Sequence, residues 1–259
     1  MNESANDIDI RIAPAGKGID WLLGSFTIFS ENWPAWVGVI VFIFVLKIIS
    51  MFIFIVGGMV LQVMLPVFIG GLMLGCRSAD NGEGFLFEHL FAGFSNSFLR
   101  LAAVGMVVLI GEGLIMAICG LSLFLVIGSL DTFMQILHTL QRAVMEQNIS
   151  QLIQVLSGMS VTILLVTLIG LALYVPLLVL AWFAPALIVL AGQDAITAMK
   201  NSFIGCLKNW VPYLVYGVVG LILSIIATIP LALGWVVLMP MMIISVYLAY
   251  EDIYPQSPT

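Results

Sequence analysis

Gly71–Phe94 reads GLMLGCRSADNGEGFLFEHLFAGF. It closes one long apolar run, crosses a short charged loop, and opens a stretch that leads into the next apolar run. Altered forms of the same passage precede the first and the last apolar runs. Read outward from this passage, the chain is all-α and polytopic. Six transmembrane helices are expected, arranged as three tandem hairpin repeats, each preceded by an amphipathic interfacial helix.

Composition supports that reading. The chain is 62% hydrophobic and 8% charged, with a mean hydropathy of +1.20. A soluble domain carries roughly 25% charged residues, so most of this chain faces something other than water. The net charge is −6 and no basic face is present, which excludes a nucleic-acid partner. Cys76, Cys119 and Cys206 have no metal-ligand spacing and read as free thiols.

Residues 1–17 are polar and read as a flexible tail. They lack the basic start, short apolar core and small-residue cleavage site of a leader, so the first span is expected to act as its own targeting signal. From Ile19 the apolar positions Ile19, Leu22, Phe26, Phe29 and Trp33 mark one face of a helix lying in the headgroup zone. The apolar run Pro34 to Cys76 exceeds the ~20 residues of one crossing. Gly57-Gly58 is expected to turn it, with spans at 34–55 and 59–76 and a bend at Pro66.

Phe87, Phe91, Phe94 and Phe98 repeat the helical spacing before a third span at 99–129. An extramembrane helical insert follows at 130–158. Its Asn148-Ile-Ser150 triplet matches a glycosylation sequon, a match that would be chance in a bacterial protein. The fourth span covers 160–191. Asp194 is placed to cap a helix on which Ile196, Met199, Phe203, Cys206 and Trp210 share a face. Spans at 211–228 and 235–250 and a polar tail, 254–259, complete the chain, giving one transmembrane domain at 18–253 with repeats at 18–80, 81–193 and 194–253.

The repeat rests on one offset. It pairs Ser25-Phe26 with Ser202-Phe203 and the anchors Asn32-Trp33 with Asn209-Trp210. The second span of each unit carries a proline: Pro66, Pro185 and Pro240. Gly71 and Gly75 correspond to Ser245 and Ala249, two small-xxx-small pairs that permit close helix approach. Two crossings per unit give all units one orientation, a parallel-repeat design. Mitochondrial carriers share that design, but their Pro-x-acid-x-x-base signature is missing here. Arg11, Lys17, Arg77, Arg100, Lys200 and Lys208 fall on the side of the termini and Arg142 opposite, so both termini are expected to be cytoplasmic.

Gly71–Glu83 followed by Glu88–Phe94 resembles the "GLM-x-x-CR-x-x-D-x-G … LFAGF" stretch of a group of bacterial multi-pass inner-membrane proteins. The resemblance is specific over those residues. More distantly, the Asn-Trp hairpin is similar to YciC-type proteins and to membrane domains found beside glycerophosphodiester phosphodiesterases. The resemblance implies a bacterial inner-membrane location and brings no activity or catalytic residues with it.

Two ionisable residues fall inside expected spans. Lys47 lies fourteen residues beyond Trp33 and Glu112 fourteen beyond Phe98, each about 21 Å along the helix from its aromatic anchor. They read either as an ion pair lining a polar path or as a pair that only fixes packing, with Lys47 snorkelling outward as a third account. Arg77, Asp80, Glu83 and Glu88 form a cytoplasmic loop cluster with His89, explained by a local Arg77–Asp80 salt bridge or by binding of a headgroup or partner. His89 and His138 are expected on opposite sides of the membrane, so no metal site is expected. With no catalytic set in view, no enzyme and no cofactor are expected. The sequence reads as a non-enzymatic accessory or membrane-organising protein, with a small-solute or ion transporter as the alternative. The expected partners are membrane lipids, with other membrane proteins or further copies of the chain.

Overall fold

The computed structural model describes residues 8–95, 97–231 and 233–255. The remainder of both terminal tails lies outside the described residues. Among these residues there are eleven α-helices and no strand. The helices are α1 Lys17–Glu31, α2 Trp33–Phe52, α3 Phe54–Asp80, α4 Phe98–Ile127, α5 Leu130–Met145, α6 Ile149–Gly158, α7 Ser160–Trp182, α8 Ala184–Leu190, α9 Ala195–Lys208, α10 Trp210–Thr228 and α11 Trp235–Ile253. A 3₁₀ helix, Phe87–Phe94, stands between α3 and α4. Six stretches are long and apolar enough to cross a membrane: Trp33–Phe52, Val56–Asp80, Phe98–Ile127, Ser160–Leu190, Trp210–Thr228 and Trp235–Ile253.

The chain divides into two compact units, with boundaries inside α4 and α7: residues 1–109 with 178–259, and residues 110–177. In the first unit α3 is the central helix. Half of its most apolar stretch is buried, against 17% for Trp33–Phe52. The 3₁₀ helix, α2 and α8 pack on α3, while α1 packs across α10 and α11.

The quoted motif acquires a physical meaning here. A Cβ on Gly71 would fall on the carbonyl oxygens of His89 and Leu90, and one on Gly93 on the carbonyl oxygen of Val67. Gly75 faces the Phe85 ring and the His89 Cβ. The glycines therefore let the backbones of α3 and the 3₁₀ helix touch. Lipid-embedded helices gain little from apolar association, so close backbone packing of this kind carries much of the specificity. With three residues per turn, Leu90 and Gly93 share a row, and both are buried. Phe91 and Phe94 meet Phe68 edge-on at centroid distances of 6.3 and 5.4 Å, and Phe42 meets Phe87 and Phe91. Phe85 stacks on the fully buried Trp36 at 3.9 Å.

Local structure departs from the sequence expectation at three places. The turn between the first two spans falls at Ile53 rather than at Gly57-Gly58. Gly57 is instead the residue on which the Ser50 carbonyl lies, a contact that a side chain would block. The middle amphipathic segment is a short 3₁₀ helix rather than an α-helix. The fourth span breaks at Phe183, ahead of Pro185 in the first turn of α8. There the Ser202 hydroxyl accepts from the Phe183 N–H at 2.9 Å and donates to the Val179 carbonyl at 2.7 Å. It bridges the two groups that an unbroken helix would bond directly, a recognised way to kink a helix without orphaning its backbone.

α1 and α9 bury the same positions at the offset found in the sequence. Trp21, Leu22, Ser25, Ile28 and Phe29 are buried on α1, and Ala198, Met199, Ser202, Gly205 and Cys206 on α9. Asn32 and Asn209 end these helices with similar backbones, φ −129° and ψ 29° against φ −111° and ψ 29°. Of the expected apolar face, Leu22, Phe29, Met199 and Cys206 point inward, while Phe26, Trp33, Ile196 and Trp210 are exposed. Exposed Trp at such a position suits the membrane–water interface.

In the second unit the expected insert is the helix pair α5 and α6, separated by Glu146–Asn148. Ser129 caps α5 through Thr132 N–H at 3.1 Å, and Asn148 caps α6 through Gln151 N–H at 3.1 Å.

Candidate functional site

The polar chemistry of the first unit gathers where the two chain ends meet. Residues 8–16 form no helix, yet they are held. Arg11 N–H donates to the Ile253 carbonyl at 2.9 Å and Ala13 N–H to Asn209 Oδ1 at 2.7 Å. Asn209 Nδ2 donates to the carbonyls of Arg11 and Gly205, both at 2.9 Å. Asn209 is fully buried, and its amide satisfies three backbone groups, two of them in buried bonds. The segment read as part of a flexible tail is thus held at Arg11, Ala13 and Lys17 by Asn209 and the end of α11.

Asp252 collects the first turns of α1. It accepts from Trp21 Nε1 at 2.8 Å and pairs with Lys17 Nζ at 3.1 Å. Tyr254 OH donates to the Asn201 carbonyl at 2.9 Å, and Asn201 Nδ2 donates to Gln193 Oε1 at 3.2 Å. A Cβ on Gly205 would strike the Tyr254 hydroxyl, so Gly205 makes the room that the tyrosine uses. Burial raises the Tyr254 phenol above its ordinary value, with nearby Cys206 adding to the effect. Burial also pushes the Cys206 thiol up to about 12, so it is a packing residue and not a nucleophile. Asp194 accepts from the Ile196 and Thr197 N–H groups at 3.0 and 3.1 Å. Hydrogen bonds from Thr197, first its side chain and then its backbone, hold the Asp194 carboxyl below its ordinary value. Arg100 closes the approach to α9 by donating to the Gly192 and Gln193 carbonyls at 2.8 and 3.2 Å.

The loop cluster is distributed over separate partners. Asp80 accepts from Tyr247 OH at 3.1 Å, and Glu83 from the Ser78 hydroxyl at 3.2 Å. Glu88 is exposed, and His89 Nδ1 accepts from the Leu86 N–H at 3.0 Å. Among the described residues of this unit the ion pairs are Arg11–Asp9 and Lys17–Asp252, so Arg77 does not bridge to Asp80. Asn32 is half-buried, whereas Trp33 and Trp210 are 56% and 63% exposed and do not pack in the core.

Lys47 lies exposed on α2 in the first unit, and Glu112 lies half-buried on α4 in the second. Two grooves of about 400 and 260 Å³ flank α3 in the first unit. Val56, Val60 and Met64 line both, and apolar side chains dominate each. Among the described residues no three His, Cys, Asp or Glu side chains converge as a metal site.

Sequence reasoning missed Asp252, Tyr254, Asn201 and the held segment at Arg11–Ala13. Their roles depend on contacts between residues 53 or more positions apart, for which local spacing gives no signal.

These features define an integral, multi-pass, all-α membrane protein with its polar bonds concentrated at one end of the first unit. No family model, curated protein or solved structure matches the chain.

Proposed function

We propose that the protein is a non-enzymatic accessory or membrane-organising protein of the bacterial inner membrane, with both termini cytoplasmic. The observation that carries this reading is how the polar side chains are used. At the end where the termini meet, Asn209, Asp252, Tyr254 and Ser202 are each spent on holding one chain segment to another. Inside the first unit Tyr216 and Ser245 bond to each other at 2.9 Å, and the grooves beside α3 present apolar walls. Such a surface offers contact area to lipids or to other membrane proteins. Purification from native membrane, with identification of what co-purifies in stoichiometric amount, is the direct test. Recovery of the chain alone, together with solute flux in reconstituted vesicles, would overturn the reading.

The alternative is a small-solute or ion transporter, favoured by two ionisable residues, Lys47 and Glu112, within spans. A double-mutant cycle tests it. If the two charges form a working pair, Lys47→Ala and Glu112→Ala each strand the other charge and lower stability. The double variant then recovers part of the loss while flux stays abolished. Simple additivity of the two losses would remove the pair from consideration.

A further inference from the structure

The α5–α6 pair presents an apolar surface for which its own unit supplies no cover. Going round α5 at about 100° per residue, its side chains fall into three arcs. The first holds Phe133, Ile136, Leu140 and Ala143, which are half-buried or, for Ala143, fully buried. The second holds Met134, Leu137 and Val144, which are 44%, 43% and 62% exposed, with one exposed polar residue, Gln141, among them. The third holds Asp131, Gln135, His138, Arg142 and Glu146. Going round α6 in the same rotational sense gives the same order. Gln151, Leu152 and Val155 are half-buried, Ile149 and Ile153 are 69% and 61% exposed, and Ser150, Gln154 and Ser157 are polar.

The order matters because of the connection. α5 and α6 are joined by only three residues, 146–148, and pack on each other as a hairpin. When two antiparallel helices lie side by side with their covered arcs facing, a shared rotational order brings both bare arcs onto one side and both polar arcs onto the other. Opposite orders would have put the bare arcs on opposite sides. The hairpin is therefore a two-helix plate with one mainly apolar face, interrupted by Gln141, and one polar face.

Its tethers say which surface that face meets. Two residues, Gly128 and Ser129, separate α4 from α5, and one, Met159, separates α6 from α7. Both ends of the plate are fixed directly to the ends of lipid-exposed helices, whose last and first turns carry Leu125, Val126, Val161 and Leu164, all more than half exposed. A plate on such short leads stays at the level of the headgroups, where an amphipathic helix buries its apolar side and leaves its charges wet. We propose that α5–α6 is a lipid-docking surface embedded in the leaflet where α4 ends and α7 begins. Met134, Leu137, Val144, Ile149 and Ile153 enter the acyl boundary there, and Asp131, Arg142 and Glu146 remain in water.

The test uses the full chain in vesicles of mixed zwitterionic and anionic phospholipid. Spin labels are placed at Val144→Cys, Ile153→Cys, Gln135→Cys and Gln154→Cys, all on exposed positions. The unaltered chain serves as the blank for Cys76, Cys119 and Cys206. The expected result is several-fold greater collision with oxygen than with a water-soluble nickel chelate at positions 144 and 153, with the reverse at positions 135 and 154. Equal access of the chelate to all four positions would overturn the proposal. Exclusion of both reagents from positions 144 and 153 would also overturn it, because a protein partner or a second copy would then cover the face. Should a label perturb folding, oxidation of native Met134 and Met145 by a membrane-impermeant oxidant gives an independent reading. Slow oxidation in vesicles supports lipid docking, and rapid oxidation refutes it.

Discussion

Adding one methyl group at Gly71 tests whether the quoted motif acts by backbone contact. In Gly71→Ala the new Cβ meets two carbonyl oxygens of the 3₁₀ helix, at His89 and Leu90, and in Gly93→Ala it meets the Val67 carbonyl of α3. Neither obstacle is a flexible side-chain end, so the two backbones must separate. Overpacking of this kind costs about 1–3 kcal/mol. Gly75→Ala should fall lower in that range, because its obstacles are side-chain atoms, the Phe85 ring at 2.6 Å and the His89 Cβ at 2.8 Å, rather than backbone. Gly58→Ala and Gly113→Ala are the controls: nothing lies within 4 Å of a Cβ at either glycine. Both sit inside helices, where losing glycine's freedom in the unfolded chain should stabilise by about 0.4–1 kcal/mol. Equilibrium unfolding in mixed micelles, followed by circular dichroism, reads all five variants on one scale. The order expected is Gly71→Ala and Gly93→Ala least stable, Gly75→Ala intermediate, and the two controls at or above the unaltered chain. If Gly71→Ala matches the controls, α3 and the 3₁₀ helix are not in backbone contact and the account of the motif fails.

Three further outcomes are expected. Asn209→Ala strands the buried Ala13 N–H and should cost about 2–3 kcal/mol; it should also speed hydrogen exchange at residues 11–13, and unchanged exchange there would dissolve the clasp. Ser202→Ala removes the hydroxyl bridge between Phe183 N–H and Val179 and should cost about 1–3 kcal/mol in the same unfolding assay, whereas Ser160→Ala, at an exposed hydroxyl, should be neutral. Asp194→Ala should cost about 1 kcal/mol by loss of the α9 cap and Asp194→Asn much less. The Asp194 carboxyl is lowered in the folded state, so its contribution is present above its unfolded value of about 3.9 and is lost as pH falls through the lower folded one. An Asp194-dependent loss of stability on raising pH toward neutrality would contradict that sign.

The spans were legible because length and apolarity alone define them, and the six expected helices appear with shifts of a few residues at their ends. Asp194 was legible as a cap because capping is local. Gly57-Gly58 misled because glycine serves two purposes: it can turn a chain, or it can admit another backbone, as it does beside Ser50. The middle amphipathic segment misled for a related reason. Its phenylalanine spacing fits an α-helix, but the tight approach of Gly93 to Val67 comes with a 3₁₀ helix instead. Asn209 was visible as half of a repeated pair, yet its clasp on Arg11 and Ala13 was not, since two of the three groups its amide serves lie almost 200 positions away.

The distribution of bonding within the first unit has a mechanical consequence. At the end where the termini meet, hydrogen bonds and an ion pair tie α1, α9, α11 and the segment at 11–13 together. Around the turn that joins α2 to α3, the corresponding surfaces are open apolar grooves. Apolar contacts between helices compete on near-equal terms with contacts to lipid chains, so those grooves hold the helix ends weakly. Polar bonds at the opposite end have no such competitor once water is excluded. The unit thus carries its polar bonds at one end and an open apolar groove at the turn between α2 and α3. A lipid chain or a neighbouring helix seated in that groove would meet Val56, Val60 and Met64 and would touch none of the residues that tie the termini.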